Sequence, residues 1–420
     1  MRIENLRAEN SDNRARVAAT IVWEDCDRAP QEVYYETTHE FGQYLACDPH
    51  AFLTGSLLPA IRCGERRIAV DEPICPELRT GLAAATAWLK QWSLLEGSIQ
   101  IETRGDIRYP QNGRTRAGAF LSGGVDSLAI LHCNRADFPP DHPSSIRDAL
   151  FVHGFDMGGL EGTDDELTSY ELALDALRPV AQDAGVNLIP VRTNVRHLLD
   201  DVQFWIYQFH GAALASVAHA FSGRLSCVSI ASDRSIADLR DKSTHPLLEP
   251  NFSSANLRVN LAGLLYSRLD RVRLISDWQV ALDSLRVCTM NPPGKLNCGE
   301  CEKCLRTMLQ LLAVDSLDKT SVFPYQDVLP EMLERLRLTD EHLDVWYGEL
   351  IDPLTARGRL DLVEVIERKR SELRKHLAWQ EERDWKGAVK RFDRKWLGGM
   401  LFETYKTARM RRGDPTPSAS

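Results

Sequence analysis

Short apolar runs alternate with longer amphipathic segments in the middle of the chain. Each run is short and lies between polar residues, so the runs predict buried strands. They cover residues 118–121, 149–152, 188–191 and 225–230. Helices are predicted between them at 166–184 and 204–221. Because strands that alternate with helices usually form a parallel sheet, this part of the chain is predicted to adopt an α/β fold.

The two ends of the chain differ from this central pattern. Residues 17–23 and 32–37 predict a pair of strands, 78–92 an amphipathic helix, and 98–102 a further strand. The predicted organisation is an α+β accessory domain (1–112), an α/β core (113–315), a helical basic region (316–412) and a disordered tail (413–420).

The composition is that of an ordinary globular protein. The length of 420 residues is enough for two or three domains. Of these residues, 43% are hydrophobic and 26% are charged. The opening residues are polar and no apolar run reaches the length of a membrane span, so we expect a cytoplasmic protein that does not act on a membrane. In that compartment the ten cysteines are more consistent with metal binding or burial than with disulfides.

A Ser-Gly-Gly-Val-Asp-Ser sequence directly follows the first predicted strand and opens a predicted helix. Glycines let the backbone approach an oxyanion closely, and the N–H groups of a helix start point toward it. A carboxylate beside phosphate is typical of a bound Mg²⁺. The predicted phosphate-binding residues are Ser122, Gly123, Gly124, Val125, Asp126 and Ser127, with Ser122, Asp126 and Ser127 as the catalytic candidates.

Four cysteines follow the α/β segment in the pattern C-x9-C-x2-C-x2-C. They are Cys288, Cys298, Cys301 and Cys304. Short C-x2-C steps place thiolates on one side of a turn, and four thiolates form a closed, structural Zn²⁺ site. An iron–sulfur cluster is the alternative. The other six cysteines are scattered and are interpreted as small core residues.

The glycine segment resembles the phosphate loop of the N-type ATP pyrophosphatases, or PP-loop enzymes, whose signature is SGGxDS. Together with the downstream cysteine cluster, it resembles the 7-cyano-7-deazaguanine synthase family over residues 115–315. The resemblance implies a Rossmann-like sheet of the adenine nucleotide alpha hydrolase type, with ATP at 122–127 and zinc on the cysteines. Members of that family convert a 7-deazaguanine carboxylic acid to a nitrile with ATP and ammonia.

Polar residues that directly follow the predicted strands are further candidates, because ligands of parallel sheets bind beyond the carboxyl ends of the strands. Nucleotide contacts are predicted for His153, Gly154, Thr193 and Asn194. Substrate contacts are predicted for Asp156, Asp233, His245 and Glu249, the last two in a polar loop that departs from the deazaguanine synthase pattern. The competing interpretation is structural, with these residues capping turns, packing in walls or forming a surface connection.

The carboxyl-terminal region is basic. Between Arg368 and Arg412 there are 15 Lys and Arg residues against six Asp and Glu residues, whereas the whole chain carries a net charge of −9. Aromatic residues are interleaved with these charges: Trp379, Trp385, Phe392, Trp396, Phe402 and Tyr405. Such a pattern can bind nucleic acid through phosphates and stacking. The interpretation we favour is an amphipathic helix with packed aromatic residues and solvated charges.

These features predict an ATP-dependent, AMP-forming ligase. A small-molecule carboxylate would be adenylated, and ammonia or an amine would then displace AMP. A second interpretation transfers the adenylated group to a protein, as in relatives associated with anti-phage operons, or modifies tRNA; a thiolating variant would need Cys133 or Cys227. A third is a non-catalytic nucleotide-binding scaffold, which Asp126 disfavours. We expect a homo-oligomer or a hetero-complex.

Overall fold

A computed structural model of the chain describes residues 1–11, 13–104, 116–157 and 164–396. Within them, ten strands form one mixed sheet with helices around it, which confirms the α/β class. The strands are β1 (Arg2–Ser11), β2 (Arg14–Val22), β3 (Gln31–Thr38), β4 (Arg67–Val70), β5 (Gln100–Thr103), β6 (Ala117–Phe120), β7 (Ile146–His153), β8 (Asn187–Thr193), β9 (Cys227–Ala231) and β10 (Arg258–Ala262).

The helices are distributed along the whole described chain. They are α1 (His39–Gly42), α2 (Pro49–Arg62), α3 (Pro76–Gln91), α4 (Val125–Asp137), α5 (Asp164–Ala184), α6 (Val202–Phe204), α7 (His210–Ala220), α8 (Arg268–Ile275), α9 (Gln279–Asp283), α10 (Glu302–Ala313), α11 (Pro330–Glu334), α12 (His342–Gly348), α13 (Ile351–Ala356) and α14 (Leu360–Trp396). A π-helix, Trp205–Phe209, separates α6 from α7 and interrupts the helix predicted over 204–221.

Five parallel strands form one half of the sheet, in the order β10-β9-β6-β7-β8, with β10 at its edge. Counted along the chain, this is the doubly wound order, and the direction of winding reverses between β6 and β9. All four residues of β6 are buried, as expected for a strand covered on both faces. Ligands of such sheets bind beyond the carboxyl ends of the strands at this reversal point.

The amino-terminal strands continue the same sheet. β2 and β3 form the predicted pair, which is antiparallel, and β3 pairs antiparallel with β8 through residues such as Tyr35 and Thr193. The chain divides into two compact units, Met1–Val328 and Leu329–Ser420, whereas the sequence predicts boundaries at 112 and 315. Strand pairing joins β2 and β3 to the parallel strands within the first unit.

The second unit is helical in its described part, as predicted. Arg370 and Arg374 of α14 both pair with Asp344 of α12, at 2.8 and 3.0 Å. Trp379 and Phe392 on α14 are about half exposed, so these two aromatic rings differ from the packed arrangement that we favoured. The predicted tail (413–420), Phe402, Tyr405 and the side chains of Trp385 and Trp396 lie outside the described residues.

One buried carboxylate joins the amino ends of four parallel strands. Asp148 of β7 is fully buried and accepts hydrogen bonds from Arg116, just before β6, and from Arg224, just before β9. It also accepts a bond of 2.8 Å from Asn187, the first residue of β8. Burial raises the pKa of Asp148, but the bonds from Arg116 and Arg224 outweigh it and hold the pKa below its usual value.

Replacing this carboxylate is expected to destabilise the first unit strongly. Asp148→Asn leaves two guanidinium groups without their counter-charge, which costs roughly 3–5 kcal/mol when a buried pair is broken. The matched control is Asp175→Asn, because Asp175 is exposed and, among the described residues, forms an ion pair only with the exposed Arg178 of its own helix. Urea unfolding followed by tryptophan fluorescence measures both, and equal midpoints for the two variants would contradict the assigned role of Asp148.

Candidate functional site

The glycine segment forms a tight turn from β6 into α4, at the reversal point of the sheet. Gly123 has a φ of +80°, a conformation that favours glycine, and α4 begins at Val125. The Ser127 hydroxyl accepts from the Ser122 N–H at 3.2 Å and donates to the Gly124 carbonyl at 3.0 Å. Ser122 is exposed, so the turn opens to solvent. The sequence prediction of a strand, a turn and a helix start is confirmed here.

Asp126 is held by two arginines of α8. Its Oδ1 accepts from Arg271 at 2.7 Å and its Oδ2 accepts from Arg268. Burial raises the pKa of Asp126, but the positive charges of Arg268 and Arg271 outweigh it and keep the pKa below its usual value. Both carboxylate oxygens are thus engaged, so the expected role of Asp126 as a Mg²⁺ ligand requires exchange with a guanidinium.

The arginine pair leaves this site positively charged. Arg268 and Arg271 are buried, share the single carboxylate of Asp126, and have Nε atoms that lack a partner among the described residues. The second Nη of Arg271 donates to the carbonyls of Arg234 and Gly263, at 2.8 and 3.0 Å. Since two buried cations face one anion beside a helix start, the site favours an additional anion.

Two of the predicted nucleotide contacts have structural partners instead. The buried Thr193 hydroxyl donates to the Tyr34 carbonyl at 2.7 Å. The Asn194 amide donates to the Glu32 carbonyl at 2.7 Å and accepts from the Tyr34 N–H at 3.0 Å. Their polar groups therefore fasten β3 to β8, and the contacts do not support the prediction that they bind a nucleotide.

Gly154 and His153 lie at the end of β7, as predicted. Gly154 has a φ of +102°, and a Cβ on it would lie 1.8 Å from the Thr193 carbonyl oxygen. Close packing against the Thr193 carbonyl therefore explains why residue 154 is a glycine. The half-buried His153 ring and the Tyr170 ring meet edge-on, with centroids 4.9 Å apart. This contact agrees with the competing interpretation, in which His153 packs in a wall.

Asp156 stands beyond β7 among basic groups. Its side chain is exposed, and its pKa reflects two opposing effects. Partial desolvation raises the pKa, whereas the charges of Lys303, His210, Arg286 and Arg196 lower it and prevail. Asp156 therefore remains a carboxylate at neutral pH, close enough to these groups for their charges to act on it.

Asp233 follows β9, and the polar loop comes after it in the chain. Asp233 pairs with Lys242, so its predicted contact with substrate competes with an internal ion pair. The His245 ring meets the Trp92 ring edge-on, with centroids 4.7 Å apart. Both residues are in place near the carboxyl edge, but each already has a protein partner.

Glu249 is fully buried, which places it behind the surface of the loop. Its Oε2 accepts from the His245 N–H at 2.8 Å, and its Oε1 has no partner among the described residues. Gly211 makes room for it, since a Cβ there would lie 2.5 Å from Oε1. Burial raises the pKa of Glu249 to about 8. At neutral pH this residue is a buried carboxylic acid, so direct contact with substrate is not supported.

The four cysteines come together as predicted. Their Sγ atoms all lie within 4.8 Å of one another, with 4.0 Å between Cys288 and Cys301 and 3.8 Å between Cys298 and Cys304. A tetrahedral zinc with Zn–S bonds of 2.3 Å separates its sulfurs by about 3.8 Å. Hydrogen bonding with Cys304 lowers the pKa of Cys301 to about 5. The cluster therefore has the geometry to hold a zinc ion.

The segment around the first cysteine, Cys288, is attached to the glycine turn and to the end of β7. The Arg286 N–H donates to the Gly123 carbonyl at 2.9 Å, and the Asn291 amide donates to the Asp156 carbonyl at 3.0 Å. The buried Asn297 side chain accepts from the N–H groups of Val287 and Cys288, at 2.9 and 3.3 Å. The cysteine cluster thus positions two parts of the candidate site.

A second group of metal-ligand type, Asp48, His50 and His219, lies elsewhere in the first unit. His50 Nδ1 lies 2.8 Å from Asp48, and His50 Nε2 accepts from the Cys75 N–H at 2.9 Å. His219 Nε2 donates to the Phe252 carbonyl at 2.8 Å. Since both nitrogens of His50 are already used, this group does not offer a free set of metal ligands.

Sequence reasoning missed the arginines and the histidine of the site. Arg268 and Arg271 are three positions apart on one short helix, and nothing in that pattern shows that they face residue 126. His210 lies within an otherwise helical stretch, where only the π-helix determines its direction. Cys227, a candidate for sulfur transfer, lies at the amino end of β9, opposite the glycine turn.

Comparisons of the chain with protein-family models, with curated proteins and with solved structures give no match. Among the described residues, no helix combines the length and the apolar character that crossing a bilayer requires. The functional argument therefore rests on the geometry of the site.

The buried acid gives a test by pH. Because the pKa of Glu249 is about 8 in the folded state against 4.5 ordinarily, its contribution to stability is full below pH 4.5 and is lost as the pH rises through 8. Glu249→Gln has no proton to lose. It should gain stability relative to the wild type with rising pH, by up to about 1.4 kcal/mol per pH unit.

Melting temperatures at pH 5.5 and pH 8.5 measure this effect. The matched control is Glu372→Gln, because Glu372 is exposed on α14. If the melting temperatures of Glu249→Gln and the wild type differ by the same amount at both pH values, Glu249 is already ionised in the folded protein at pH 5.5.

Proposed function

We propose that the chain is an ATP pyrophosphatase of the PP-loop class, with an adenine nucleotide alpha hydrolase-like core. The observation that carries this proposal is the position of residues 122–127, which turn from the first core strand into α4 at the reversal point of a doubly wound sheet. That position is where such sheets bind nucleotide phosphates. The SGGxDS sequence supports the class, because a turn with only a structural role would not need Asp126 and its two arginines.

Within that class, we propose an AMP-forming carbon–nitrogen ligase that acts on a carboxylate similar to 7-carboxy-7-deazaguanine. A carboxylate oxygen attacks the α-phosphorus of ATP, and the bond from that phosphorus to the bridging oxygen of the β-phosphate breaks. Pyrophosphate leaves with the electron pair. Ammonia or an amine then attacks the acyl carbon, and AMP leaves.

The residues around the glycine turn would supply the electrostatic part of this reaction. The N–H groups at the start of α4 and the guanidinium groups of Arg268 and Arg271 would neutralise charge that develops on pyrophosphate. Asp126 would hold these arginines in place. Mg²⁺, when bound, would screen the phosphates, and it would compete with the arginines for the oxygens of Asp126.

Zinc on the four cysteines would be structural. Four thiolates occupy all coordination positions of a tetrahedral zinc ion and leave none for substrate or water. The contacts of Arg286 with Gly123 and of Asn291 with Asp156 support a role in holding the nucleotide turn against the end of β7.

A macromolecular acceptor is a second candidate. The observation that favours it is the exposure of Trp379 and Phe392 on the basic helix α14, at 50% and 56%. Exposed rings among cations are suited to stacking on nucleic acid bases. In that case the adenylated group would pass to tRNA or to a protein, and stimulation of AMP release by such an acceptor would distinguish the two candidates.

The first test concerns Asp126. Asp126→Asn removes the charge that orients both arginines, so pyrophosphate release from ATP and 7-carboxy-7-deazaguanine should fall by about 100-fold or more. Asp137→Asn is the matched control, because Asp137 is an exposed acid on the same helix. A fold check by circular dichroism and a metal analysis accompany the assay. Normal turnover in a folded Asp126→Asn variant would overturn the proposal, and so would a wild type that releases neither AMP nor pyrophosphate.

The second test concerns the cysteine cluster. Cys301→Ser should lose bound zinc, and the affinity for ATP should fall by about 10-fold or more, because the segment that holds Gly123 loses its anchor. Cys63→Ser, at a cysteine outside the cluster, should keep both. Elemental analysis measures the metal, and calorimetry measures ATP binding. A zinc-free variant with unchanged ATP affinity would show that the cysteine cluster does not influence ATP binding.

A further inference from the structure

The charged group beside the glycine turn carries a net positive charge. Asp126 accepts from Arg271 at 2.7 Å and from Arg268, and neither arginine is paired with another carboxylate among the described residues. Burial lowers the pKa of Arg268, and the carboxylate of Asp126 opposes this effect. Because an arginine in a protein keeps its proton at neutral pH, the group consists of two cations and one anion.

This arrangement does not fit a magnesium ion on Asp126, which the sequence predicts. Mg²⁺ requires a nearly octahedral set of oxygens at about 2.0–2.1 Å. Each oxygen of Asp126 already accepts from a guanidinium, and a divalent cation would be added to a group whose charge is already positive. The same charge attracts the phosphates of a nucleotide, because they carry the opposite sign.

The two arginines differ in how firmly they are held. The second Nη of Arg271 donates to the carbonyls of Arg234 and Gly263, at 2.8 and 3.0 Å, so two bonds besides the one to Asp126 hold this side chain. Arg268 has only its bond to Asp126, and its Nε is buried without a partner among the described residues. Arg268 can therefore exchange its partner at the loss of one bond, whereas Arg271 would lose three.

The backbone on both sides of this ion pair is fixed. Ser267 caps α8: its hydroxyl accepts from the Asp270 N–H at 3.2 Å, and the Asp270 carboxylate accepts from the Ser267 N–H at 3.2 Å. On the other side, the Ser127 hydroxyl closes the glycine turn. An exchange at Arg268, the first residue of α8, is thus a movement of the side chain alone. Solvent reaches Asp126, since 23% of its side chain is exposed.

We propose that this chain binds the triphosphate of ATP without a divalent metal ion on Asp126, and that Arg268 moves from Asp126 to a phosphate when ATP binds; this rests on the proposed function, since the site is the same. A guanidinium can form two parallel hydrogen bonds with a phosphate. Arg268 then supplies positive charge that a metal ion would otherwise supply. Arg271 stays on Asp126, and the carboxylate keeps it in position.

The first measurement is the magnesium dependence of ATP binding. Calorimetry of the full chain as purified, in magnesium-free buffer and then with millimolar Mg²⁺, gives the two dissociation constants. They should agree within about fivefold, since the charge of Arg268 and Arg271 is present in both conditions. A larger gain in affinity with Mg²⁺ would overturn the inference, because the site would then depend on the metal.

A variant of α8 tests the role of Arg268. Arg268→Gln should weaken the binding of magnesium-free ATP by about 10-fold or more, because the phosphate loses its guanidinium. Arg273→Gln is the matched control on the same helix, since Arg273 is half exposed and pairs with Asp270 at 2.7 Å. Circular dichroism checks the fold of both variants. Unchanged binding of magnesium-free ATP in a folded Arg268→Gln variant would contradict the role given to Arg268.

Mn²⁺ alone, without nucleotide, tests for a metal ion on Asp126. By electron paramagnetic resonance, the wild type and Asp126→Asn should bind the same amount of Mn²⁺. An ion that the wild type binds and Asp126→Asn loses would overturn the inference. All of these outcomes leave the proposed function standing, because ATP still binds. A wild type that binds no ATP, with or without Mg²⁺, would overturn the proposed function and the inference together.

Discussion

The buried carboxylate of Asp148 is the constraint on which the arrangement of the first unit depends. It binds the residues that lead into β6 and β9 and the first residue of β8, while it belongs to β7 itself. Four strand starts are thereby fixed at one end of the sheet. Because the strands are parallel, their carboxyl ends then meet at the opposite edge, where the glycine turn, Asp156 and Asp233 follow them. The position of the candidate site is a consequence of a charge network at the far end of the sheet.

At the functional edge the balance of charge is reversed. Asp148 is one anion among cations with no room for more ligands, whereas Arg268 and Arg271 are two cations around a single carboxylate that borders solvent through the turn. The first arrangement is closed and stabilises the fold. The second has an excess of positive charge, which suits the phosphates of the proposed nucleotide. The cysteine cluster adds rigidity, because its segment contacts both the turn and the end of β7.

The sequence revealed those features whose chemistry is local. Residues 122–127 and the four cysteines are each nearly contiguous, so their conformation depends on neighbours in the chain. The partners of Thr193 and Asn194, Tyr34 and Glu32, belong to a strand far away in sequence, so the sequence did not reveal these contacts. β1 escaped detection because most of its residues are exposed or half-buried. The directions of Arg268 and His210 depend on helix packing and on a π-helix, and neither has a signature in hydrophobic periodicity.

The π-helix has a consequence for how this site can change over generations. Each residue of an α-helix turns the chain by about 100°, and a π-helix accommodates one extra residue in a turn. Loss of a single codon within 205–209 would restore regular winding and swing the side chain at position 210 away from the sheet, with every other contact residue retained. Insertions and deletions, more than substitutions, are therefore the events that can change the direction of the side chain at position 210.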